Sequence, residues 1–160
     1  MRVAVIIPAR NAASSLRDCL EALRVERVPG DGRQLIVVDD ASADETAKIG
    51  AAAGATILRG DGRGPAVARN LGARQANADV LVFLDADTAP EPGWLDALLA
   101  PFARDREIVA VKGRYITRQR GVIARFSQLE FEEKYARLER ATRVDFVDTG
   151  TAAYRLDVFL

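Results

Sequence analysis

Two rhythms alternate along this 160-residue chain. Short continuous apolar runs are separated by segments in which apolar residues recur every third or fourth position. The first pattern suits a strand buried on both faces of a sheet, the second a helix with one buried face. Residues 3–7 form such a run, and 14–23 follow with Leu16, Leu20 and Leu23 at helical spacing. The stretch QLIVVDD predicts a second buried strand. Residues 42–54 predict a helix, with Ser42 and Glu45 as a capping box and Gly54 as its stop. ATILR predicts a third strand, 65–75 a helix, and 80–84 a fourth strand. Residues 92–103 predict a helix that has Pro92 early and Trp94, Leu98 and Phe102 on one face. IVAVKGRY is strand-like. Residues 122–140 predict a long helix with two apolar stripes, Val122–Phe126–Leu129 and Phe131–Tyr135–Leu138. VDFVDTGTAAYR returns to an extended pattern.

Repeated strand–helix units imply a mainly parallel sheet with helices on both faces, a three-layer α/β/α fold. No internal repeat or interdomain linker interrupts residues 1–160, so a single domain is expected. Its apolar last segment, YRLDVFL, reads as the middle of an element, which predicts a domain incomplete at its C-terminus.

Composition narrows the chemistry. Hydrophobic residues make up 49% and charged residues 29%, enough for a real core in one globular unit. Lysine plus arginine number 23, against 23 for aspartate plus glutamate. That balance argues against nucleic acid as a partner, because such binding relies on excess positive charge. The single cysteine, Cys19, excludes an internal disulfide and a cysteine-cluster metal site, and it reads as a buried small side chain. Histidine is absent, which excludes imidazole catalysis and histidine-bound zinc. Any metal must be a hard cation on oxygen ligands. No apolar run approaches the ~20 residues that span a bilayer, and the first residues lack a signal-peptide core. The expectation is a cytoplasmic protein. The arginine-rich stretch 114–143 leaves open peripheral contact with the cytoplasmic face of the membrane, an oligomer through 122–140, or an ordinary solvated helix whose glutamates offset the charge.

In open parallel α/β sheets, ligands bind beyond the carboxyl ends of the strands. The first predicted strand ends in PARN, the second in DDAS, the third in RGDGRGPAVARN and the fourth in DAD. Four successive strand ends thus carry polar, acidic or glycine-rich residues. The glycines at 60, 62 and 64 do not form a dinucleotide fingerprint, which would open the first β–α unit. They read as a loop whose backbone approaches a ligand, with Arg63 and Arg69 available to phosphates. Asp85 and Asp87 are two residues apart at a strand end, so both carboxylates can face one side. Two such charges call for a cation or a shared proton. FLDADT also fits an apolar strand followed by D-x-D-x-T, the first motif of haloacid-dehalogenase-type phosphatases, with Asp85 as nucleophile and Asp87 as acid and base. That reading leaves VVDDAS without a role.

The segments VAVIIPARN, LIVVDDASADET, GPAVARNLGA and VLVFLDADTAPEPGWL, followed by KGRY and VDTGTAAYRLDVF, resemble in order and spacing the family 2 glycosyltransferases of the GT-A fold. The resemblance implies an inverting transfer of sugar from a nucleotide-diphospho-sugar, with a UDP-sugar favoured, to an acceptor hydroxyl that is lipid-linked or on a polysaccharide. It implies that Pro8, Ala9, Arg10 and Asn11 line the nucleotide pocket, with Ser42 and Gly64 beside it. Asp39 and Asp40 would meet ribose and base, with Asp40 on the base. Arg69 and Asn70 would fix the loop over the nucleotide. Asp85, Ala86 and Asp87 form the D-x-D motif. Asp87 would be the direct ligand of Mn²⁺ or Mg²⁺, with Asp85 nearer the ribose or a metal-bound water. Asp148, Thr149, Gly150 and Thr151 would lie beside donor sugar and acceptor. The family's catalytic base falls beyond Leu160 and Asp157 lies too early for it, so the expectation is donor binding with weak or absent transfer. A non-catalytic nucleotide-sugar-binding module is the alternative.

Overall fold

The computed structural model describes residues 1–26, 32–116, 121–139, 147 and 149–160. Among them the chain runs β1 (Val3–Ala9), α1 (Ala13–Arg24), β2 (Arg33–Asp39), α2 (Thr46–Ala52), β3 (Thr56–Arg59) and α3 (Pro65–Gln75). It continues through β4 (Val80–Leu84), α4 (Trp94–Arg104), β5 (Ala110–Lys112), α5 (Val122–Glu139), β6 (Thr151–Arg155) and α6 (Leu156–Phe159). The sheet order is β3-β2-β1-β4-β6-β5. Strands β3, β2, β1 and β4 are mutually parallel, whereas β6 runs antiparallel to both β4 and β5.

Strands β1 and β4 are buried along their whole length, as continuous apolar runs require. Alternate side chains point to opposite faces and build two cores. Val3, Val5, Ile7, Val82 and Leu84 meet Leu16, Leu20, Leu23 and Leu98 on one face. Ala4, Ile6, Ile36, Leu81 and Phe83 pack with Ala68 and Ala73 on the other. Gly72 lets α3 approach closely, for a Cβ there would lie 2.5 Å from Ile6 Cγ2. The three-layer α/β/α expectation holds, with one antiparallel strand that the apolar pattern could not reveal.

Two local expectations are corrected. The predicted capping box at 42–45 does not form, because α2 starts at Thr46 and Glu45 makes no side-chain cap bond. Ser42 instead accepts the Asn11 N–H at 2.9 Å. Residues 44–46 cap α1 across the gap between elements: Thr46 Oγ1 accepts Ala12 N–H at 2.9 Å and Asp44 Oδ2 accepts Ala13 N–H at 3.0 Å. The Asp44 carboxyl also bonds the Thr46 hydroxyl and N–H, and together these bonds hold it below the usual carboxylate range. The strand-like reading of IVAVKGRY shrinks to Ala110–Lys112. Of the extended stretch at its C-terminal end, residues 144–146 and 148 lie outside the described residues, and β6 supplies the rest.

Candidate donor-binding site at the strand ends

The carboxyl ends of β1, β2 and β4 share one edge, and the turn after β3 joins them. At the end of β1, Ala9 is buried and its carbonyl accepts the Asp40 N–H at 2.8 Å. Pro8 is buried too, so these two residues offer backbone rather than side chain. Arg10 and Asn11 are exposed. Arg10 Nη1 donates to the Gly62 carbonyl at 3.3 Å, and Asn11 Oδ1 accepts Ala43 N–H at 2.8 Å. Asn11 and Ala41 both take a positive φ, 49° and 60°. Non-glycine residues adopt that region rarely, and such backbone clusters where loops carry function.

Asp39 and Asp40 are buried at this edge, 0% and 3% exposed. Asp39 Oδ1 accepts Ser42 N–H at 3.1 Å, and its other oxygen pairs with Arg59. Asp40 grips the glycine turn: Oδ1 accepts Gly62 N–H at 2.8 Å and Oδ2 accepts Gly64 N–H at 2.7 Å. Gly62 and Gly64 sit at φ +73° and +95°, a backbone that side chains resist. Both Asp40 oxygens are therefore engaged by the loop that the sequence placed against a ligand.

At the end of β4, Asp85 is half-buried and Asp87 exposed. Arg69 of α3 donates through Nη2 to Asp85 Oδ1 at 2.5 Å. Asn70, the next residue on α3, is exposed. Ala86 is buried between the two aspartates. Cys19 of α1 lies beneath them, with its Sγ 3.8 Å from the Asp85 carbonyl. Burial, then the charges of Asp87 and Asp85, push its thiol up to about 12.

The D-x-D pair opens onto a cavity of about 1360 Å³. One wall is the turn 88–93 with Trp94. The other is Arg114, Tyr115 and Ile116 with Ser127, Gln128 and Phe131 of α5. Thr151, at the start of β6, accepts the Trp94 indole N–H at 3.0 Å. Trp94 is thus both an anchor and a wall of the cleft. Thr149 and Gly150 are half-buried beside it, and Asp148 lies outside the described residues. Of the expected nucleotide-binding residues only Asp85 lines this cavity. Pro8 to Asn11, Asp39, Asp40, Ser42 and Gly64 gather on the β1–β2–β3 side of the same edge, whereas Arg69 and Ala86 stand with Asp85 at the end of β4.

The donor chemistry fits a hard cation, with a condition. Among the described residues no group of three or more aspartate, glutamate, cysteine or histidine side chains could hold a metal alone. Asp85 and Asp87 supply only carboxylate oxygens, so a Mg²⁺ or Mn²⁺ ion there would need phosphate oxygens or water to fill its shell.

Sequence reasoning missed Glu26. It is 5% exposed, and its two oxygens accept Gly93 N–H and Leu95 N–H, each at 2.9 Å. It thereby caps α4, the helix that follows the D-x-D turn, from the far end of α1. No local spacing signals a cap delivered across 67 positions. Tyr115, which lines the cavity, was also missed.

The fold of this six-stranded sheet, with its carboxylate pair at a strand end, is shared with solved glycosyltransferases of the GT-A fold. Residues 4–160 match Glycosyl transferase family 2, and the chain belongs to that family. A pre-mycofactocin glycosyltransferase of Mycobacterium tuberculosis is 33% identical over 163 residues, spanning 96% of this chain and 33% of its own length. The chain thus spans about a third of that relative. The mannosyltransferase PcManGT of Pyrobaculum calidifontis, solved with GDP-Man and Mn²⁺, superposes with a TM-score of 0.73. It is 23% identical and covers 96% of this chain and 44% of its own. Glucosyl-3-phosphoglycerate synthase of Mycobacterium tuberculosis, solved with Mn²⁺, UDP and glucosyl-3-phosphoglycerate, superposes at 0.69 with 21% identity, over 98% of this chain and 57% of its own. The family membership sets aside the phosphatase reading of the Asp85–Thr88 stretch.

Proposed function

We propose that this chain forms the donor side of a glycosyltransferase that moves a sugar from a nucleoside diphosphate to an acceptor hydroxyl with inversion. The observation that carries the reading is Asp85 and Asp87 at the mouth of a large cleft, on the edge shared with Asp39, Asp40 and the glycine turn. The nucleoside lies over β1, β2 and β3, with Asp39 and Asp40 on its ribose and base side. Because Asp40 holds the Gly62 and Gly64 N–H groups, nucleoside binding and loop position are coupled there.

The diphosphate falls at the end of β4. Asp87 is the exposed carboxylate and the direct metal ligand, whereas Asp85 is oriented by Arg69. Mn²⁺ or Mg²⁺ held there supplies charge stabilisation for the departing diphosphate. The acceptor oxygen bonds to the anomeric carbon as the bond from that carbon to the diphosphate oxygen breaks. The hydroxyl proton passes to a base, to which we assign no described residue. The GDP-Man and UDP complexes of the two structural neighbours, both with Mn²⁺, support a nucleotide-linked donor. We favour a UDP-sugar.

Calorimetry of UDP, GDP and dTDP, each with Mn²⁺ and with EDTA, tests the reading. One nucleotide should bind with Mn²⁺ and at least ~10-fold more weakly in EDTA or in Asp87→Asn, a loss of about 1.4 kcal/mol or more. Binding of every nucleotide with no dependence on metal or Asp87 would sink the assignment.

A further inference from the structure

A second cavity, of about 440 Å³, opens between α1 and α2 over the first residues of β2. It lies toward the other end of β2 from Asp39 and shares no lining residue with the D-x-D cavity. Element lengths explain it. β2 has seven residues at about 3.3 Å each, whereas the seven residues of α2 rise only about 1.5 Å each. The helix starts beside the carboxyl end of the strand, where Thr46 caps α1, and runs out before the amino end. β3 is in register only with Ile36–Asp39 and leaves Arg33 to Leu35 unpaired on that side. Leu35 is therefore half-buried, although Val37, the next residue on the same face, is fully buried.

Floor and rim differ in kind. Leu20, Leu23, Leu35 and Ile49 form an apolar floor, and the small side chains of Ala52 and Ala53 leave the α2 side open. Four cations, Arg17, Arg24, Arg33 and Lys48, stand around it against one acid, Glu21. Arg17, Glu21 and Arg24 share one face of α1 at helical spacing. Part of this charge is committed. Arg24 pairs with Glu21 and Lys48 with Glu45, both on the exposed surface, where such pairs contribute little. Arg33 Nη1 donates to the Leu23 and Glu26 carbonyls at 2.9 and 2.8 Å, which anchors its guanidinium at the groove. Helix ends account for only one of the four. Arg24 sits in the last turn of α1, where a cation suits the helix dipole, but Lys48 stands in the first turn of α2, where it opposes it. Excess positive charge around an apolar floor complements a ligand that is anionic at one end and apolar along the rest.

We propose that the groove between α1 and α2 binds one anionic amphiphile, its hydrocarbon chain over Leu20, Leu23, Leu35 and Ile49 and its carboxylate or phosphate head among Arg17, Arg33 and Lys48. The volume falls among small-molecule sites, which run from roughly 300 to 1000 Å³. A docked helix would need a longer wall than the two turns of α2. The site is independent of the donor-site reading.

Calorimetry at low ionic strength tests it with dodecanoate and dodecyl phosphate, below their micelle concentrations, against dodecyl maltoside and inorganic phosphate. One equivalent of either anionic amphiphile should bind, at least ~10-fold more tightly than the neutral amphiphile or phosphate alone. Arg17→Gln combined with Lys48→Gln removes two exposed charges and keeps the floor. It should weaken binding by ~3–10-fold and leave the thermal melt unchanged. Ala52→Trp, which fills the groove and removes no charge, should weaken it by at least ~10-fold. Equal binding of dodecyl maltoside, several equivalents per chain, an affinity untouched by these variants, or no binding at all would overturn the proposal. Attachment to phosphatidylglycerol vesicles without binding of the soluble amphiphiles would make this face a membrane contact and overturn it too.

Discussion

At the scale of single residues, charge and burial explain more of this edge than residue type alone. Asp39, Asp40 and Asp85 are all aspartates at strand ends, yet each is committed differently. Asp39 pairs with Arg59 and caps Ser42, Asp40 clamps two glycine N–H groups, and Asp85 is held by Arg69. Asp87 alone of the four is exposed. Cys19 makes the burial measurable. Its thiol ordinarily ionises near 9.0, and in the native protein it is pushed up to about 12, first by desolvation and then by Asp87 and Asp85. Between those values the unfolded chain has lost the proton and the native chain keeps it, so stability falls as pH rises across that interval. Iodoacetamide at pH 9 should alkylate the urea-unfolded chain readily and the native chain at least ~10-fold more slowly, since only the thiolate reacts. Cys19→Ser should flatten the alkaline part of the stability profile. Equal labelling of both states would show an accessible thiol and contradict the packing under the D-x-D turn.

At the scale of elements, the cleft depends on α4 starting where it does. The helix begins at Trp94 after Gly93 in the left-handed region, and Glu26 supplies the acceptors that its first turn lacks. A buried carboxylate there also meets the positive end of the helix. Glu26→Gln keeps one acceptor, loses the charge and turns an amide toward a backbone N–H. It should cost about 1–2 kcal/mol in urea unfolding and shift Trp94 fluorescence. An unchanged midpoint would show that the cap is replaceable by water.

Much of the element order was legible because β1, β2 and β4 are apolar on both faces and α1 and α4 show a clear stripe. The D-x-D stretch and the strand-end motifs were legible for the same reason, since a buried run that stops at charged residues marks the sheet edge. What could not be read was long-range. The antiparallel β6 looks like any short apolar run, and the Glu26 cap and the capping of α1 by Ser42, Asp44 and Thr46 join segments distant in sequence. Ser42 and Glu45 matched a local capping pattern, but the N–H groups of Asn11, Ala12 and Ala13 lacked partners, and the loop satisfied those instead.

For the whole molecule, the cleft lies between the sheet edge and α5. α5 leaves Val122, Phe126 and Leu129 exposed, and among its contacts Phe131 and Tyr135 meet Tyr115 while Glu139 pairs with Arg114. Along α5, Glu130, Glu132, Glu133 and Glu139 offset Arg125, Lys134 and Arg137. No helix among the described residues is long and apolar enough to cross a bilayer. The carboxylate side of the cleft is the strand end where Asp85 and Asp87 stand. Two carboxylates at a strand end cannot hold a divalent ion well alone, but they can when a diphosphate completes the shell. Electron paramagnetic resonance of free Mn²⁺, titrated with the protein with and without UDP or GDP, measures this directly. The account predicts weak Mn²⁺ binding to the protein alone and at least ~10-fold tighter binding once the right nucleotide is present, beyond the nucleotide's own affinity for Mn²⁺. Tight Mn²⁺ binding without nucleotide, or no enhancement by either nucleotide, would contradict it.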